Sequence, residues 1–287
     1  MVENGSVDES DEILAHYGSK ITVLKQPVNL GFAGGVNVGI KFAIQNDSEY
    51  VALFNNDAVA DKNWLKNLVD TARKTEAGIV TGKFLHDNDN KLDSTGDFYT
   101  IYGLPFPRGR NEIDNGQYDT NTAVFGATGG ASLYSVKMLK NVGLFDEDFF
   151  AYFEDVDISF RAQLMGYKVI YEPQAIANHK IGGTSSKISG FATYQTAKNF
   201  WFIYTKNMPG WLYFKYLPLA IYWYLRMFAA RLIKGGLWPF FKGWVVSLLL
   251  SPKKFIQRHS IQKARKVPVS YIDSILFHGR PPKIPKN

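Results

Sequence analysis

Residues 149–179 of the chain read FFAYFEDVDISFRAQLMGYKVIYEPQAIANH. After an aromatic patch, apolar and polar residues follow a helical pattern that begins near Glu154 and ends at Gly166, a residue suited to a helix C-cap. Residues 168–171 then have the composition of a short strand. Pro173 is expected to stop that strand, because proline cannot donate to a strand ladder. This stretch therefore predicts a helix that leads into a short strand.

Three carboxylates lie in the first turn of the predicted helix: Glu154, Asp155 and Asp157. The positive end of the helix macrodipole favours their ionised form. An ionised carboxylate at the mouth of an aromatic pocket is a candidate general base. Acids are also ordinary residues at helix starts, so the motif alone leaves a catalytic and a structural interpretation open.

The composition limits the size of the fold and the kinds of site. With 287 residues, 46% hydrophobic and 15% aromatic, the chain can bury the core of one large domain or of one domain with an appendage. The absence of cysteine from the sequence excludes disulfides and thiolate metal sites. Residues 1–11 are polar and acidic, so no signal peptide is expected at this start.

Charge is divided unevenly along the chain. Residues 1–196 carry 17 Lys and Arg against 25 Asp and Glu, whereas residues 197–287 carry 16 against 1. A basic segment on an acidic body predicts an anionic partner, either membrane or nucleic acid. No nucleic-acid-binding module is recognisable. Between residues 200 and 250, aromatic residues stand beside Lys and Arg without the long uncharged run of a transmembrane helix, which favours helices lying in the plane of a membrane surface.

Two glycine-rich segments are candidates for ligand contact. The segment NLGFAGGVNVG (residues 29–39) runs into a helical pattern, and glycines at a helix start allow the backbone to approach an anion. Tight helix packing is the alternative. In FGATGGASLY (residues 125–134), Gly129 and Gly130 precede a predicted strand and a helix near residues 136–142. This glycine pair either leaves room for an acceptor or forms a β-bulge.

A short apolar run at residues 50–54 predicts a buried strand, and Asn55, Asn56 and Asp57 follow it. An acid just past such a strand lies where open α/β sheets bind ligands, and its carboxylate can hold Mg²⁺ or Mn²⁺ against a diphosphate. A polar turn is the alternative. His179 is a possible second ligand, and with it the metal and the structural interpretations both stay open.

Three further segments are predicted to be loops. The polar run HDNDNKLD (residues 86–93) is expected to form a solvated hairpin turn rather than a second metal site. Residues 97–122 lack clear periodicity, and a loop this long is usually functional or mobile. Residues 182–186, which are Gly, Thr and Ser, are expected to be flexible.

Five ordered pieces of the sequence together resemble the family 2 glycosyltransferases, especially their bacterial rhamnosyltransferase-like branch. These pieces are ENGSVD (3–8), NLGFAGGVNVGI (29–40), LFNNDA (53–58), GATGGASLYS to GLFDEDFFAYFEDVDISFRAQLMGY (126–167), and the segment around His179. The resemblance runs from residue 3 to about residue 206. It implies an α/β protein of the GT-A type, with one doubly wound mixed sheet over residues 1–196 that binds a nucleotide-diphosphate sugar and a divalent metal. Residues 197–287 would form a membrane-associated helical and basic tail.

The resemblance assigns the metal ligands and the base. Asp57 matches the last acid of the metal-binding DxD-type motif and would bridge Mg²⁺ or Mn²⁺ to the diphosphate. Asn55 stands where the first acid of that motif often is, and His179 matches a histidine that completes the coordination in some members. Asp155, the second residue of the pair with Glu154, matches the catalytic base.

The resemblance also assigns a donor-binding surface. Glu3 matches an acid, usually aspartate, that reads the nucleobase. The residues predicted to bind the nucleotide sugar are Glu3, Asn4, Ser6, Gly34, Asn37, Asn56, Gly129 and Gly130. Family members begin with a strand, a helix and a second strand before the position of ENGSVD, and this unit of roughly 40 residues is expected to be missing from an N-terminally truncated domain. Its loss should expose a buried sheet edge and remove nucleotide contacts.

The functional prediction is an inverting glycosyltransferase that moves rhamnose or another hexose from a dTDP- or UDP-linked donor to a lipid-linked or cell-surface glycan. Asp155 would deprotonate the acceptor hydroxyl while that oxygen attacks the anomeric carbon in line. The expected partners include an anionic membrane surface, with peripheral attachment to the cytoplasmic face of the bacterial inner membrane, and no nucleic acid. The alternative is a catalytically inactive remnant that acts as a membrane-bound binding partner.

Overall fold

The computed structural model describes residues 1–87, 89–180 and 188–282, so the predicted flexible segment 182–186 lies outside the described residues. The elements in chain order are β1 (Val2–Glu3), α1 (Ser10–His16), β2 (Leu24–Lys25), α2 (Gly31–Gln45), β3 (Tyr50–Phe54), β4 (Ala58–Ala60), α3 (Trp64–Thr75), β5 (Ile79–His86), β6 (Leu92–Ser94), β7 (Asp97–Tyr99), β8 (Pro105–Pro107), β9 (Ala131–Ser135), α4 (Val136–Val142), α5 (Glu154–Leu164), β10 (Val169–His179), α6 (Phe191–Asn207), α7 (Gly210–Lys234), α8 (Leu237–Ala264) and α9 (Val269–Ile275).

A six-stranded mixed sheet lies at the centre of the molecule, with strand order β3-β9-β5-β10-β4 and with β6 paired to β5. Strands β5 and β10 are parallel, whereas the other neighbours in this sheet are antiparallel. Strands β1 and β2 form a separate parallel pair. Within the described residues β3 is paired on one side only, with β9, and Ala52 and Phe54 of β3 are exposed.

Helices cover both faces of this sheet. Because successive side chains of a strand point to opposite faces, Ile79 and Tyr134 belong to a core shared with α2, α4 and α5, whereas their neighbours Val80 and Leu133 belong to a core shared with α3. Strands buried on both faces are typical of sheets with helices on either side. The prediction of a doubly wound mixed sheet is therefore confirmed.

Several predicted elements have the expected bounds, and two predictions differ from the structure. The predicted loop at residues 97–122 contains the paired strands β7 and β8. The strand at residues 50–54 and the helix at residues 136–142 are confirmed. The strand after α5 was expected to stop at Pro173, but β10 runs for 11 residues up to His179. The register with β5 shifts between Glu172 and Ile176, so proline lies in an irregular part of the ladder, where its missing N–H is tolerated.

The C-terminal helices pack on the sheet domain through a third, aromatic core. The core contains Phe200, Phe202 and Tyr204 of α6 together with Phe149, which precedes α5, and Phe160, which lies within α5. Aromatic residues of α7 and α8 complete the cluster. The predicted boundary at 196/197 falls inside α6. No helix within the described ranges combines the length and the apolar run that crossing a bilayer would need.

Two lysines of the basic C-terminal segment are buried against carboxylates of the sheet domain. Lys206 Nζ lies 2.6 Å from Asp146 and 2.9 Å from Asp157, and Lys254 Nζ lies 2.8 Å from Asp146 and 2.7 Å from Asp148. Both lysine side chains are at most 3% exposed. The prediction that this segment's charge serves an external anion is therefore wrong for these two residues, which neutralise acids of the same chain.

Candidate active site

The loop at residues 149–153, here called the α5 entry loop, carries unusual backbone conformations. Phe150, Tyr152 and Phe153 have φ values of 64°, 67° and 72°, a region that non-glycine residues occupy at a cost of roughly 1–3 kcal/mol each. Asn199 of α6, which is fully buried, donates from Nδ2 to three carbonyl oxygens of this loop at 2.7–3.1 Å. An α6 side chain therefore holds the loop that starts the helix of the predicted base.

The glycine-rich start of α2 packs against the same loop. Gly31 has φ of 72°, and a Cβ on it would collide with the carbonyl oxygen and ring of Phe150. The Ala33 N–H donates to that carbonyl oxygen at 3.1 Å, and the Gly31 N–H donates to Asn29 Oδ1 at 2.8 Å. Because these N–H groups already have protein acceptors, the glycines at the helix start serve close packing here. Of the two interpretations of this segment, packing is the one that the geometry supports.

Asp155 and Glu154 differ from the expectation for acids in a first helical turn. Asp155 accepts the Gly129 N–H on Oδ2 at 2.9 Å and the Val156 N–H on Oδ1 at 2.8 Å, yet burial raises its pKa. Burial, with the nearby Asp155 carboxyl, raises the pKa of Glu154 well above its usual range. The prediction that the acids of the first turn favour their ionised form is therefore wrong for Glu154 and Asp155, because loss of hydration outweighs the helix dipole. The third acid, Asp157, has a lowered pKa, for which Lys206 and Arg161 outweigh burial. A raised pKa brings Asp155 closer to the working range of a general base.

The glycine pair connects Asp155 with the segment after β3. A Cβ on Gly129 would lie 3.0 Å from the Phe32 ring and 3.4 Å from Asp155 Cβ. A Cβ on Gly130 would lie 3.0 Å from Asn55 Nδ2, and the Asn55 N–H donates to the Gly130 carbonyl oxygen at 2.8 Å. The two glycines therefore keep Asp155 and Asn55 close to a common wall without a side chain between them.

Asp57 and His179 meet at the neighbouring edge of the sheet. The antiparallel register of β4 and β10 pairs Ala58 with His179, which places the preceding Asp57 beside the imidazole. His179 Nε2 lies 3.3 Å from Asp57 Oδ1, and that buried oxygen has no hydrogen-bond partner within the described residues. The His179 ring stacks on Phe84, with centroids 4.7 Å apart, and Phe84 in turn would contact a Cβ on Gly130 at 3.2 Å. A series of neighbouring residues thus leads from the predicted base to the predicted metal ligands: Asp155 bonds to Gly129, Asn55 bonds to Gly130, and Phe84 beside Gly130 stacks on His179.

This pair of ligands is compatible with a cation that binds together with a diphosphate. Over residues 1–87, 89–180 and 188–282, no group of three His, Asp or Glu side chains is arranged to hold a metal on its own. Asn55, the third predicted ligand, contacts the glycine pair. A carboxylate and an imidazole are nevertheless suitable ligands for Mn²⁺, and Mg²⁺ is commonly held by one or two carboxylates while substrate phosphates supply other oxygens. The unpartnered Asp57 oxygen is the observation that fits such a cation.

The predicted nucleotide-binding residues near the N-terminus are tied to the start of α2. Glu3 is buried, and its Oε1 accepts the Ser6 N–H at 2.6 Å, which lowers the pKa of Glu3. Asn4 donates to the Gly31 carbonyl oxygen at 2.9 Å and accepts the Leu30 N–H at 3.1 Å. Ser6 itself is exposed. These contacts form an ordered turn, and the assignment of its residues to the nucleotide stays a prediction.

The other predicted donor-binding positions have unequal access to solvent. Asn37 is 2% exposed, its Nδ2 donates to the Phe145 carbonyl oxygen and to Glu147 at 2.9 Å, and its Oδ1 accepts the Phe145 N–H at 3.0 Å. Its amide is therefore engaged within the protein, and the assignment of Asn37 to the nucleotide stays a prediction. Gly34 is buried against Leu30, so it too packs within the chain. Asn56 is exposed.

Two acids near the site were not singled out from the sequence. Asp97 is buried, and burial together with the charge of Asp155 raises the pKa of Asp97 to about 8. Asp93 has a side chain only 8% exposed, and its Oδ2 accepts from His179 Nδ1 at 2.8 Å. The hairpin at residues 86–93 exists, but the prediction that it is solvated is wrong at His86 and Asp93, both of which are buried. Its polar composition resembles that of a surface turn, and only the sheet register brings Asp93 to His179.

Comparisons with known proteins agree with this architecture. Poly-β-1,6-N-acetyl-D-glucosamine synthase of Staphylococcus epidermidis is 28% identical over 182 residues, covering 61% of this chain and 41% of the synthase. The dTDP-rhamnosyl transferase RfbF of Shigella flexneri is 24% identical over 164 residues, covering 56% of this chain and 53% of that enzyme. The chain therefore spans about half the length, or less, of these two curated relatives.

A solved structure and a family model give the fold and the family. The mannosyltransferase PcManGT from Pyrobaculum calidifontis, solved with GDP-Man and Mn²⁺, superposes with a TM-score of 0.50 at 14% identity, covering 92% of this chain and 75% of that one. Residues 1–143 match the family model described as Glycosyl transferase family 2. The mixed sheet, the ordered motifs and these matches agree, and the chain therefore carries a family 2 glycosyltransferase domain with a GT-A-type fold.

Proposed function

We propose that this protein is a metal-dependent inverting glycosyltransferase that moves a sugar from a nucleoside-diphosphate donor to an acceptor hydroxyl. The observation that carries the proposal is the series of neighbouring residues that leads from Asp155 through Gly129 and Gly130 to the pair Asp57 and His179. A base and a diphosphate-binding edge within reach of each other are what a single displacement requires. The alternative of an inactive remnant is not favoured, because this series keeps both functions together.

The residues divide the proposed reaction between them. Asp155 accepts the proton of the acceptor hydroxyl as that oxygen forms its bond to the anomeric carbon. The bond from this carbon to the diphosphate oxygen breaks on the opposite side, so the configuration inverts. A divalent cation, Mg²⁺ or Mn²⁺, would supply positive charge to the departing diphosphate when bound by Asp57 and His179. The glycine pair allows Asp155 and Asn55 to approach the same segment of backbone.

A deoxyhexose donor is the most specific form of the proposal. The similarity to a dTDP-rhamnosyl transferase and the rhamnosyltransferase-like motifs of the sequence support rhamnose carried on dTDP. A UDP-linked hexose is the competing donor. The proposed acceptor is a lipid-linked glycan, and the proposed location is the cytoplasmic face of the bacterial inner membrane, where the protein would be peripheral.

Asp57→Asn is expected to remove the metal dependence of donor binding. Wild-type protein should bind dTDP-rhamnose or a UDP-linked sugar more tightly with Mn²⁺ than with EDTA, by calorimetric titration. Loss of the partner of a metal ligand costs about 10- to 100-fold in metal affinity, so loss of Asp57 itself should cost at least about as much. The exposed Asp61 on the same segment provides the matched control, and Asp61→Asn should bind as wild type does. Equal donor affinity of the wild type with and without Mn²⁺ would contradict the metal assignment.

The outer surface of α7 and α8 supports the proposed membrane contact. Ten apolar side chains on these helices are each more than half exposed: Trp211, Phe214, Leu225, Leu232, Ile233, Trp238, Leu248, Leu249, Phe255 and Ile256. Cations accompany the aromatic rings, for example Lys242 Nζ at 5.0 Å from the Trp238 ring centroid. The sequence contains no Asp or Glu between residues 197 and 272. Apolar groups that enter a lipid interface and cations that remain among anionic headgroups are the features of an in-plane membrane helix.

Replacing Ile233 and Leu249 together by glutamate is expected to weaken binding to vesicles that contain phosphatidylglycerol by more than about tenfold. Each side chain would otherwise bury apolar area worth roughly 1.5–3 kcal/mol. Binding of the wild type, measured by vesicle flotation, should also weaken as salt rises. Val7 is fully exposed and lies near the N-terminus, outside α7 and α8. The control variant Val7→Glu should therefore float with vesicles as wild type does. A double variant that floats equally well would rule out this surface as the membrane contact.

A further inference from the structure

His179 is fixed by contacts on three sides. Its Nδ1 lies 2.8 Å from Asp93 Oδ2, and its Nε2 lies 3.3 Å from Asp57 Oδ1. Its ring stacks on Phe84 with an interplanar angle of 16°. A ring rotation would therefore break the hydrogen bond to Asp93 and the stacking together, so the direction in which Nε2 points is determined by these neighbours.

The sheet places Asp93 where it can make this contact. Strand β6 pairs antiparallel with β5 through Leu85 and Leu92, and the register becomes irregular between this pair and the next, Phe84 with Ser94. Asp93 lies in that irregularity and has no strand partner of its own in the described register. Parallel pairing of β5 with β10 brings His179 opposite His86, at the end of the sheet where the hairpin turns back. The acid and the histidine, 86 residues apart, thus come together through strand pairing.

The environment of Asp93 keeps its carboxylate an acceptor. Arg110 lies 3.0 Å from Oδ1, and His86 Nε2 lies 3.7 Å from the same oxygen. A carboxylate beside a guanidinium can only accept from an imidazole, which requires the His179 proton to be on Nδ1. Nε2 then faces Asp57 Oδ1 at 3.3 Å. Two acceptors would repel each other at that distance, so a positive charge belongs between them, either a proton on Nε2 or a metal cation that replaces this proton.

We propose that Asp93 is a positioning residue of the cation site, which fixes the tautomer and direction of His179 so that Nε2 and Asp57 Oδ1 point to one coordination position. Histidines that bind metals commonly donate their other N–H to a carboxylate, and that partner orients the ring and increases its basicity. Asp93 acts through His179 and touches neither donor nor acceptor. The inference rests on the proposed metal-dependent function and names a residue that the family motifs do not include.

The test is Mn²⁺ affinity, measured by EPR spectroscopy of free Mn²⁺ in protein saturated with UDP or dTDP. Asp93→Asn is expected to weaken Mn²⁺ binding about 10- to 100-fold, and His179→Ala at least as much. If Asp93 acts through His179, adding Asp93→Asn to His179→Ala should produce no further loss. Asp89 is the matched control, because it lies on the same hairpin, is 39% exposed and pairs with Lys91, and Asp89→Asn should bind Mn²⁺ as wild type does.

The possible outcomes distinguish this inference from the proposed metal-dependent function on which it rests. Unchanged affinity in Asp93→Asn, with reduced affinity in His179→Ala, would overturn the positioning role and leave the metal site intact. Unchanged affinity in His179→Ala would remove the metal site itself. The double variant could also bind Mn²⁺ more weakly than His179→Ala by the full factor measured for Asp93→Asn alone. Asp93 would then act independently of His179, which also overturns the proposal. If Asp93→Asn does not fold, the ¹⁵N shifts of His179 in wild-type protein with Mg²⁺ and UDP decide. The proposal requires a protonated Nδ1 and an Nε2 without a proton, and a doubly protonated ring would overturn it.

Discussion

Replacing Asp155 by asparagine is expected to lower the turnover number by roughly 10²–10⁴-fold, the usual contribution of a general base. Asparagine has one acceptor oxygen, so it can keep one of the two hydrogen bonds that the Gly129 and Val156 N–H groups donate at 2.9 and 2.8 Å. Because its size and shape match those of aspartate, the start of α5 should remain folded. Donor affinity should stay near the wild-type value, because the proposed diphosphate ligands are Asp57 and His179. Steady-state kinetics and donor titration on the same preparation measure both quantities.

The pH dependence of turnover provides a second readout of the same group. A base must be deprotonated to act, so turnover should rise with pH as Asp155 loses its proton. Because burial raises the pKa of Asp155, this rise should lie at a higher pH than that of an ordinary aspartate, which titrates near about 3.9. The neighbouring Glu154 also has a raised pKa, so the rise in turnover reflects the titration of both carboxyl groups. In Asp155→Asn, the part of this rise that is due to the base should disappear.

A matched control uses an acid at a distance from the site. Asp47 is exposed after the end of α2 and has a positive φ, which asparagine tolerates, so Asp47→Asn should retain wild-type turnover and pH profile. Turnover of Asp155→Asn within a few-fold of wild type would remove Asp155 from the role of base.

Replacing Asp157 by alanine is expected to lower the free energy of unfolding by about 3–5 kcal/mol, the usual cost of leaving a buried charge without its partner. Asp157 is 0% exposed and accepts from Arg161 Nε at 2.9 Å, Lys206 Nζ at 2.9 Å and Asn207 Nδ2 at 2.8 Å. Removing the carboxylate would leave the buried Arg161 guanidinium without a carboxylate partner among the described residues and Lys206 with Asp146 alone. Urea unfolding followed by circular dichroism measures the change.

The exposed pair Lys66 and Asp70 is the control for this experiment, because it has the same i,i+4 helical spacing and a distance of 2.6 Å. Asp70→Ala should cost only about 0.3–0.5 kcal/mol.

Lowering the pH should also reduce the free energy of unfolding, because protonation removes the negative charge of Asp157. Burial alone would raise the pKa of Asp157, but Lys206 and Arg161 hold it below the usual value. The stabilisation is therefore present above the ordinary aspartate pKa and is lost as pH falls through the lowered one. A loss below about 1 kcal/mol in Asp157→Ala would contradict a structural role for this cluster.

The parts of the fold that could be predicted are those that depend on local pattern. The strand at residues 50–54 and the helix at residues 136–142 have the apolar spacing of their class, and the polar residues after β3 stand where sheets of this kind bind ligands. Asp57 and His179 were paired by the family motif, and the register of β4 with β10 gives the physical reason for their proximity.

The parts that could not be predicted depend on contacts between distant segments. Asp93 belongs to a run with the composition of a surface turn, and no local pattern shows that the β5–β6 hairpin carries it to His179. The glycines of residues 29–39 are compatible with an anion site or with close packing, and only the position of Phe150 distinguishes the two. The charges of Lys206 and Lys254 appear in the sequence as part of a basic segment, whereas their carboxylate partners lie about 50 to 110 residues earlier.

The anchoring of the α5 entry loop by Asn199 has a consequence for how this protein can diversify. The sheet half and the helical half are not interchangeable modules, because a chimera joined at the 196/197 position would bring a foreign residue to position 199 and release the strained loop ahead of Asp155. Adaptation to a new acceptor or a different bilayer is therefore expected to proceed by substitutions on the outward faces of α7 and α8, while recombination between homologous genes at that junction would be selected against.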